Sequence, residues 1–191
     1  MSFQNRLKKI NFLNILYLSS SLQKEILQIR NQKDIRKNLY TTHIIKEKEH
    51  FLWIKSLKKD KRKLFFSIKY NNEIIGTLGL TDIDLINKKA SWQFHISKKV
   101  SNRGLGTLVE FKLLDFFFKK KKFNKLNCEV LEFNLPVVKL HNKFGFRKEG
   151  LRREHILRNK KKFNVFFLGI TKKEWIARRK YFLKNIFKNE K

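Results

Sequence analysis

Residues 92–118 read Trp92-Gln-Phe-His-Ile-Ser-Lys-Lys-Val-Ser-Asn-Arg-Gly-Leu-Gly-Thr-Leu-Val-Glu-Phe-Lys-Leu-Leu-Asp-Phe-Phe-Phe118. The stretch predicts a strand, a turn carrying Gly104 and Gly106, and a long helix. Leu105, Leu108, Val109, Leu113, Phe116 and Phe117 recur at helical spacing and form one apolar stripe. A helix start exposes unpaired N–H groups and the positive end of the dipole, so it can hold a phosphate. Glycine adds close backbone approach. A plain turn is the competing reading. The dinucleotide fingerprint is excluded, because Val109 occupies the place of its third glycine.

Upstream, residues 63–69 and 73–81 predict a hairpin about Asn71-Asn72, and residues 90–97 predict the strand entering the glycine turn. Farther back, residues 9–17 predict a strand. Ser19 to Ser21 offer caps for a helix carrying Leu22, Ile26, Leu27 and Ile29, and a polar connector over 34–43 precedes a helix near 46–58. Downstream, residues 125–133 predict a buried strand. Asn134 opens a helix with Pro136 in its first turn, and Gly145 closes it. Residues 146–157 and 163–170 predict two strands about Arg158-Asn159-Lys160, and Thr171 with Glu174 predicts a capping box for a last helix. This order implies an α+β fold in a single domain over 1–191.

Lys and Arg number 46 against 16 Asp and Glu, a formal charge of +30. Three readings stay open: a nucleic-acid binder, an enzyme for anionic small substrates, and drift toward residues that A/T-rich codons supply. The charge argues against a cationic acceptor such as a polyamine. Cys128 is the single cysteine, which fits a reducing, cytoplasmic setting, and it reads as a buried strand residue. Residues 10–18 follow basic residues as in a signal peptide, but Asn11 and Asn14 interrupt them. No apolar run approaches a membrane span, so membrane insertion is not expected.

The order of elements about the glycine turn resembles the GNAT acyltransferase fold, a mixed sheet of about seven strands flanked by helices. The family's phosphate turn, Arg/Gln-x-x-Gly-x-Gly/Ala, is similar to Ser101-Asn102-Arg103-Gly104-Leu105-Gly106. Ser101 departs from it, leaving Arg103 or Lys99 to supply charge. A second block, from Asn134 through His141 to Gly145-Phe146, resembles the family's Asn-x-x-Ala-x-x-Leu-Tyr-x-x-x-Gly-Phe segment. Glu149-Gly150-x-Arg152, Asn159, Gly169-Ile170 and Glu174-Trp175 form a third. The N-terminal stretches Ile29-Arg-Asn31 and 35–45, with Asn71 to Gly76 and His155 to Asn159, resemble most closely the N-acetyltransferases of pseudaminic acid synthesis. Those act on UDP-4-amino-4,6-dideoxy-N-acetyl-altrosamine in a route to flagellin glycosylation.

The resemblance implies acetyl transfer from acetyl-CoA to an amine, with no metal. It assigns the coenzyme's diphosphate to the backbone of Arg103, Gly104, Leu105, Gly106 and Thr107, the thioester oxygen to an N–H near Ile96, and the coenzyme arm to Asn134. His141 stands where the family commonly carries a tyrosine acid. An imidazolium there could protonate the leaving thiolate, although Val137, Leu140, His141 and Phe144 also make a packing stripe. Glu129 is the candidate base, through a water, with Glu132 as runner-up. Arg30, Tyr40 and His43 are the candidates for a UDP-amino sugar, by two-pronged phosphate contact and by stacking or hydrogen bonding. A ribosomal-protein N-terminus is the alternative acceptor, and a non-catalytic nucleic-acid binder on the same scaffold is the alternative of another class. Nucleic acid is the disfavoured partner, and homodimerisation is left open.

Overall fold

The computed structural model describes residues 2–101 and 104–186. Helix α1 (Phe3–Lys8) leads into strand β1 (Ile10–Asn14) and a 3-10 turn (Ile15–Tyr17). Helices α2 (Ser20–Arg30), α3 (Lys33–Arg36) and α4 (Glu47–Leu57) follow. Strands β2 (Leu64–Tyr70), β3 (Glu73–Asp84) and β4 (Lys89–Ile96) then run antiparallel. Short α5 (Lys98–Ser101) precedes α6 (Leu105–Asp115), which widens into a π turn at Phe116–Lys120. Strand β5 (Lys125–Leu131), α7 (Leu135–Phe144), β6 (Arg147–Arg158), β7 (Lys161–Thr171) and α8 (Lys172–Tyr181) follow, and α8 runs on into a π turn at Phe182–Ile186. The strands form one seven-stranded mixed sheet, β1-β2-β3-β4-β5-β7-β6.

Local chemistry explains most of these boundaries. Ser19 caps α2 by accepting from Leu22 N–H, and Thr171 with Glu174 makes the expected capping box. Asn71 and Asn72 both have positive φ (50° and 69°), as does the pair Asn159 and Lys160 (46° and 62°), which is the backbone of tight hairpin turns. Three expectations need correction. Within the polar connector expected over 34–43, Lys33–Arg36 forms the one-turn helix α3. The strand expected over 9–17 ends at Asn14, whose side chain accepts from Leu16 N–H and turns the chain into the 3-10 helix. Helix α1, unexpected from the sequence, is capped by Ser2. It docks through buried Phe3 against Phe111, while Lys112 donates to the carbonyls of Leu7 and Ile10.

The main core lies between the sheet and α1, α6 and α8, with Leu105, Leu108, Val109, Leu113, Phe117, Trp92, Leu126, Cys128, Val130 and Trp175 buried in it. A smaller core on the other face joins Ile15, Ile26, Ile29, Ile35, Ile54 and Leu57 to Ile74 of β3. The two faces of β4 and β5 therefore differ. Cys128 and Val130 enter the main core, whereas Asn127 and Glu129 point to the opposite face, as period-two alternation requires.

Candidate active site

The sheet opens at one place. Strands β4 and β5 pair in parallel from Lys89–Lys125 to Ser91–Asn127, and the register goes no further. Beyond it Trp92, Phe94 and Ile96 turn their backbone groups toward the gap. Ser97 N–H bonds Ile75 O across β3, so Ile96 and every second residue before it must face the other way. An N–H at Ile96 is thereby available to polarise a carbonyl in the fork.

Helix α6 starts beside the fork. Gly104 is its N-cap with φ 67°, the left-handed region that favours glycine, and no side chain caps the helix. Leu105, Gly106 and Thr107 are its first residues, so their N–H groups have no acceptor within the helix. Arg103, assigned to the same turn, lies outside the described residues. Asn134 sits at the head of α7, and its side chain makes no capping bond, which leaves the amide for another partner. A helix start, a glycine cap and an uncommitted amide around a strand fork suit a long acyl carrier with a diphosphate at one end. Among the described residues no cluster of His, Cys, Asp and Glu could hold a metal ion.

His141 projects from α7 into the floor of the fork. The ring is buried, 3% exposed, with Trp92, Phe94 and Phe146 at centroid distances of 5.2, 6.3 and 5.1 Å. Its Nδ1 donates to Glu110 Oε1 at 2.9 Å, and Glu110 is 0% exposed. Burial resists the charged imidazole, but the Glu110 carboxylate, aided by Cys128, outweighs it and holds His141 up to about 10. Burial pushes the Glu110 carboxyl upward while the imidazolium pulls it back. The pair thus shares one buried proton. Glu110 escaped the sequence reading because it lies within the apolar stripe; a lone carboxylate between Val109 and Phe111 was the available signal.

The opposite face of the fork carries the other named residues. Glu129 accepts from Tyr40 Oη and from Arg152 Nη1, each at 2.5 Å. Two of its acceptor sites are taken and the rest stay open. Burial, then the Glu129 hydrogen bond, pushes the Tyr40 phenol upward, so it remains protonated. Tyr40 also packs edge-on to His155, 6.2 Å between centroids. The 37–45 connector is strapped over this face. Arg30 Nη2 donates to Thr41 O at 2.8 Å, Arg36 Nη1 to Thr42 O at 2.5 Å, and Arg158 to the carbonyls of Lys37 and Leu39. Arg30 Nη1 is buried without a hydrogen-bond partner. His43 is exposed, with Nε2 3.0 Å from Glu49 Oε1. Glu132, the runner-up, also accepts on both oxygens, from the Asn164 N–H and from its amide.

His95 of β4 had no sequence assignment. It lies on the same face, its Nε2 3.0 Å from Thr77 Oγ1. Burial and the nearby Arg30 charge push it down to about 3, so it is a neutral imidazole.

The family described as "Acetyltransferase (GNAT) domain" matches residues 22–166. The chain is 26% identical over 144 residues to an SPbeta prophage-derived uncharacterized N-acetyltransferase, YokL, of Bacillus subtilis, covering 74% of this chain and 81% of the relative. It is 27% identical over 137 residues to acetyltransferase PseH of Campylobacter jejuni, covering 72% and 84%. The crystal structure of spermidine N-acetyltransferase from Vibrio cholerae in complex with CoA and spermine superposes with a TM-score of 0.80 at 19% identity, over 88% of this chain and 99% of that one.

Proposed function

This chain belongs to the GNAT acetyltransferases and is an acyl-CoA-dependent N-acetyltransferase, and from that premise we propose that its acceptor is the 4-amino group of a UDP-linked amino sugar. The observation that carries the reading is the charge of the acceptor face. Arg30, Arg36, Arg152 and Arg158 gather there, and Glu129, facing the same side, is already paired with Arg152. A polyamine would meet repulsion on this face, whereas a nucleotide diphosphate would meet guanidinium groups suited to two-pronged contact. The buried, unpartnered Nη1 of Arg30 calls for an acceptor atom from a ligand. The resemblance of the N-terminal third to pseudaminic acid N-acetyltransferases supports this choice of sugar.

The remaining roles belong to the same proposal. Backbone groups of Gly104, Leu105, Gly106 and Thr107 hold the coenzyme's diphosphate, and Asn134 holds its arm. The N–H of Ile96 polarises the thioester oxygen. Glu129 takes the amine's proton through a water, and His141 gives one to the departing sulfur. Arg30 and Tyr40 bind the acceptor, and His43 lies at the rim. The test is release of free thiol from acetyl-CoA with the UDP-4-amino sugar, with spermidine, and with a ribosomal-protein N-terminal peptide. The reading expects the sugar nucleotide to give the largest kcat/KM. A larger value for spermidine or the peptide would replace it.

A further inference from the structure

We infer that Glu110 is a positioning residue for acetyl transfer, holding the His141 ring by Nδ1 so that the opposite nitrogen presents its proton at the fork between β4 and β5. The inference rests on the proposed role of His141 as the acid.

Stability does not explain the pair. A carboxylate with 0% exposure inside an apolar stripe is costly to bury, and a packed apolar pair of similar volume is commonly as stable or more so. The geometry instead suits a task. One ring nitrogen is tied to Glu110, which fixes both tautomer and orientation, as second partners do for catalytic histidines. Trp92, Phe94 and Phe146 pack around the ring and restrict its rotation. Trp92 and Cys128 are the first residues beyond the paired part of β4 and β5, so the ring sits at the root of the fork. The titratable groups facing the ring are Glu110 from α6 and Cys128 from β5; Trp92 and Phe94 of β4 and Phe146 carry no charge.

The proton count closes. The amine nitrogen bonds to the acetyl carbon, the carbon–sulfur electron pair moves to sulfur, and sulfur takes the proton from His141. The amine's surplus proton leaves through Glu129 and water. His141 is left neutral, still hydrogen-bonded to Glu110, and regains its proton from water when products depart. Glu110 keeps the ring charged at neutral pH against a burial that would otherwise discharge it.

The experiment is the pH profile of kcat for the full-length enzyme and for Glu110→Gln. In the unaltered enzyme the acid remains active to above pH ~9. In Glu110→Gln the main opponent of burial is gone and Cys128 alone offsets it, so the alkaline limb should move down toward the ordinary histidine range of about 6.5. At pH 8 kcat should drop at least about ten-fold with KM for acetyl-CoA within two-fold, and Glu110→Asp should recover part of it. A uniform loss at every pH, or no movement of the limb, overturns the inference. If Glu110→Gln does not fold, an NMR titration of the His141 ring in the unaltered protein decides: an imidazolium at pH 8 is expected, and a neutral ring overturns it. His141→Phe separates the two readings. Undiminished turnover in that variant removes the acid role itself. An inactive His141→Phe beside an unperturbed Glu110→Gln removes only the role of Glu110.

Discussion

Replacing His141 by Phe should cost far more stability at pH 8 than at pH 5. The ring fills a buried site of similar shape, so packing changes little; what changes is that Glu110, 0% exposed, loses its partner. Breaking a buried ion pair by removing one member costs about 3–5 kcal/mol, because the remaining charge is uncompensated. For a chain of 191 residues each kcal/mol moves Tm by roughly 2–4 °C, so the loss is about 6–20 °C at pH 8. The pH dependence follows from the direction of the Glu110 shift. In the variant the imidazolium that pulls Glu110 back is gone and burial alone acts, so its folded pKa lies above the unfolded value of about 4.3 and the stabilising state there is the protonated one. Stability is then highest below the unfolded pKa and falls as pH rises toward the folded one. Urea denaturation at both pH values, for His141→Phe and for His141→Phe with Glu110→Leu, measures this. The double variant should return to within about 1 kcal/mol of the unaltered protein. A His141→Phe cost below ~1 kcal/mol at pH 8, equal at both pH values, would refute the buried pair.

The unaltered protein has its own alkaline signature. His141 is held up to about 10, above its ordinary 6.5, so its contribution is complete below 6.5 and is lost as pH rises through about 10; a denaturation series from pH 6 to 11 should show that fall. Gly104→Val places a β-branched residue at φ 67°, a cost of about 1–2 kcal/mol, and should raise KM for acetyl-CoA about ten-fold while sparing KM for the acceptor, as steady-state kinetics will show. Arg30→Ala removes the guanidinium with the unpartnered Nη1 and should raise KM for the UDP-amino sugar at least ten-fold, with KM for acetyl-CoA unchanged within two-fold. Lys160→Gly relieves φ 62° at the second position of a hairpin turn and should stabilise by about 0.5–1 kcal/mol in thermal denaturation.

The fold was legible because its punctuation is local. Asn71-Asn72, Gly104, Gly145 and the Thr171–Glu174 box each determine their own neighbourhood, and the structure uses every one of them. The early turn after Asn14 was missed because a single Asn14 side-chain bond, competing with strand pairing, ended β1. Helix α1 was missed because six residues carry little helical pattern, and tertiary contacts of Phe3 and Lys112 hold it. At the site, alternation along β5 correctly separated Glu129 from Cys128. The partners could not be read that way. Tyr40 meets Glu129 across 89 positions and His141 meets Glu110 across 31, and no periodicity within one element reports such pairs. The connector's arginine straps to backbone carbonyls carry no sequence pattern either, because any residue supplies a carbonyl.

In the proposed complex an acyl carrier enters the fork from the α6 side, while the amine of an anionic nucleotide sugar meets the arginines on the other. A crystal structure with coenzyme A and UDP both bound would decide between this arrangement and its rivals. The coenzyme diphosphate is expected on the N–H groups of residues 104–107, its sulfur near His141, and the UDP diphosphate against Arg30 and its neighbouring arginines. A coenzyme lying away from that helix start, or UDP absent from the arginine face while spermine occupies it, would overturn this arrangement.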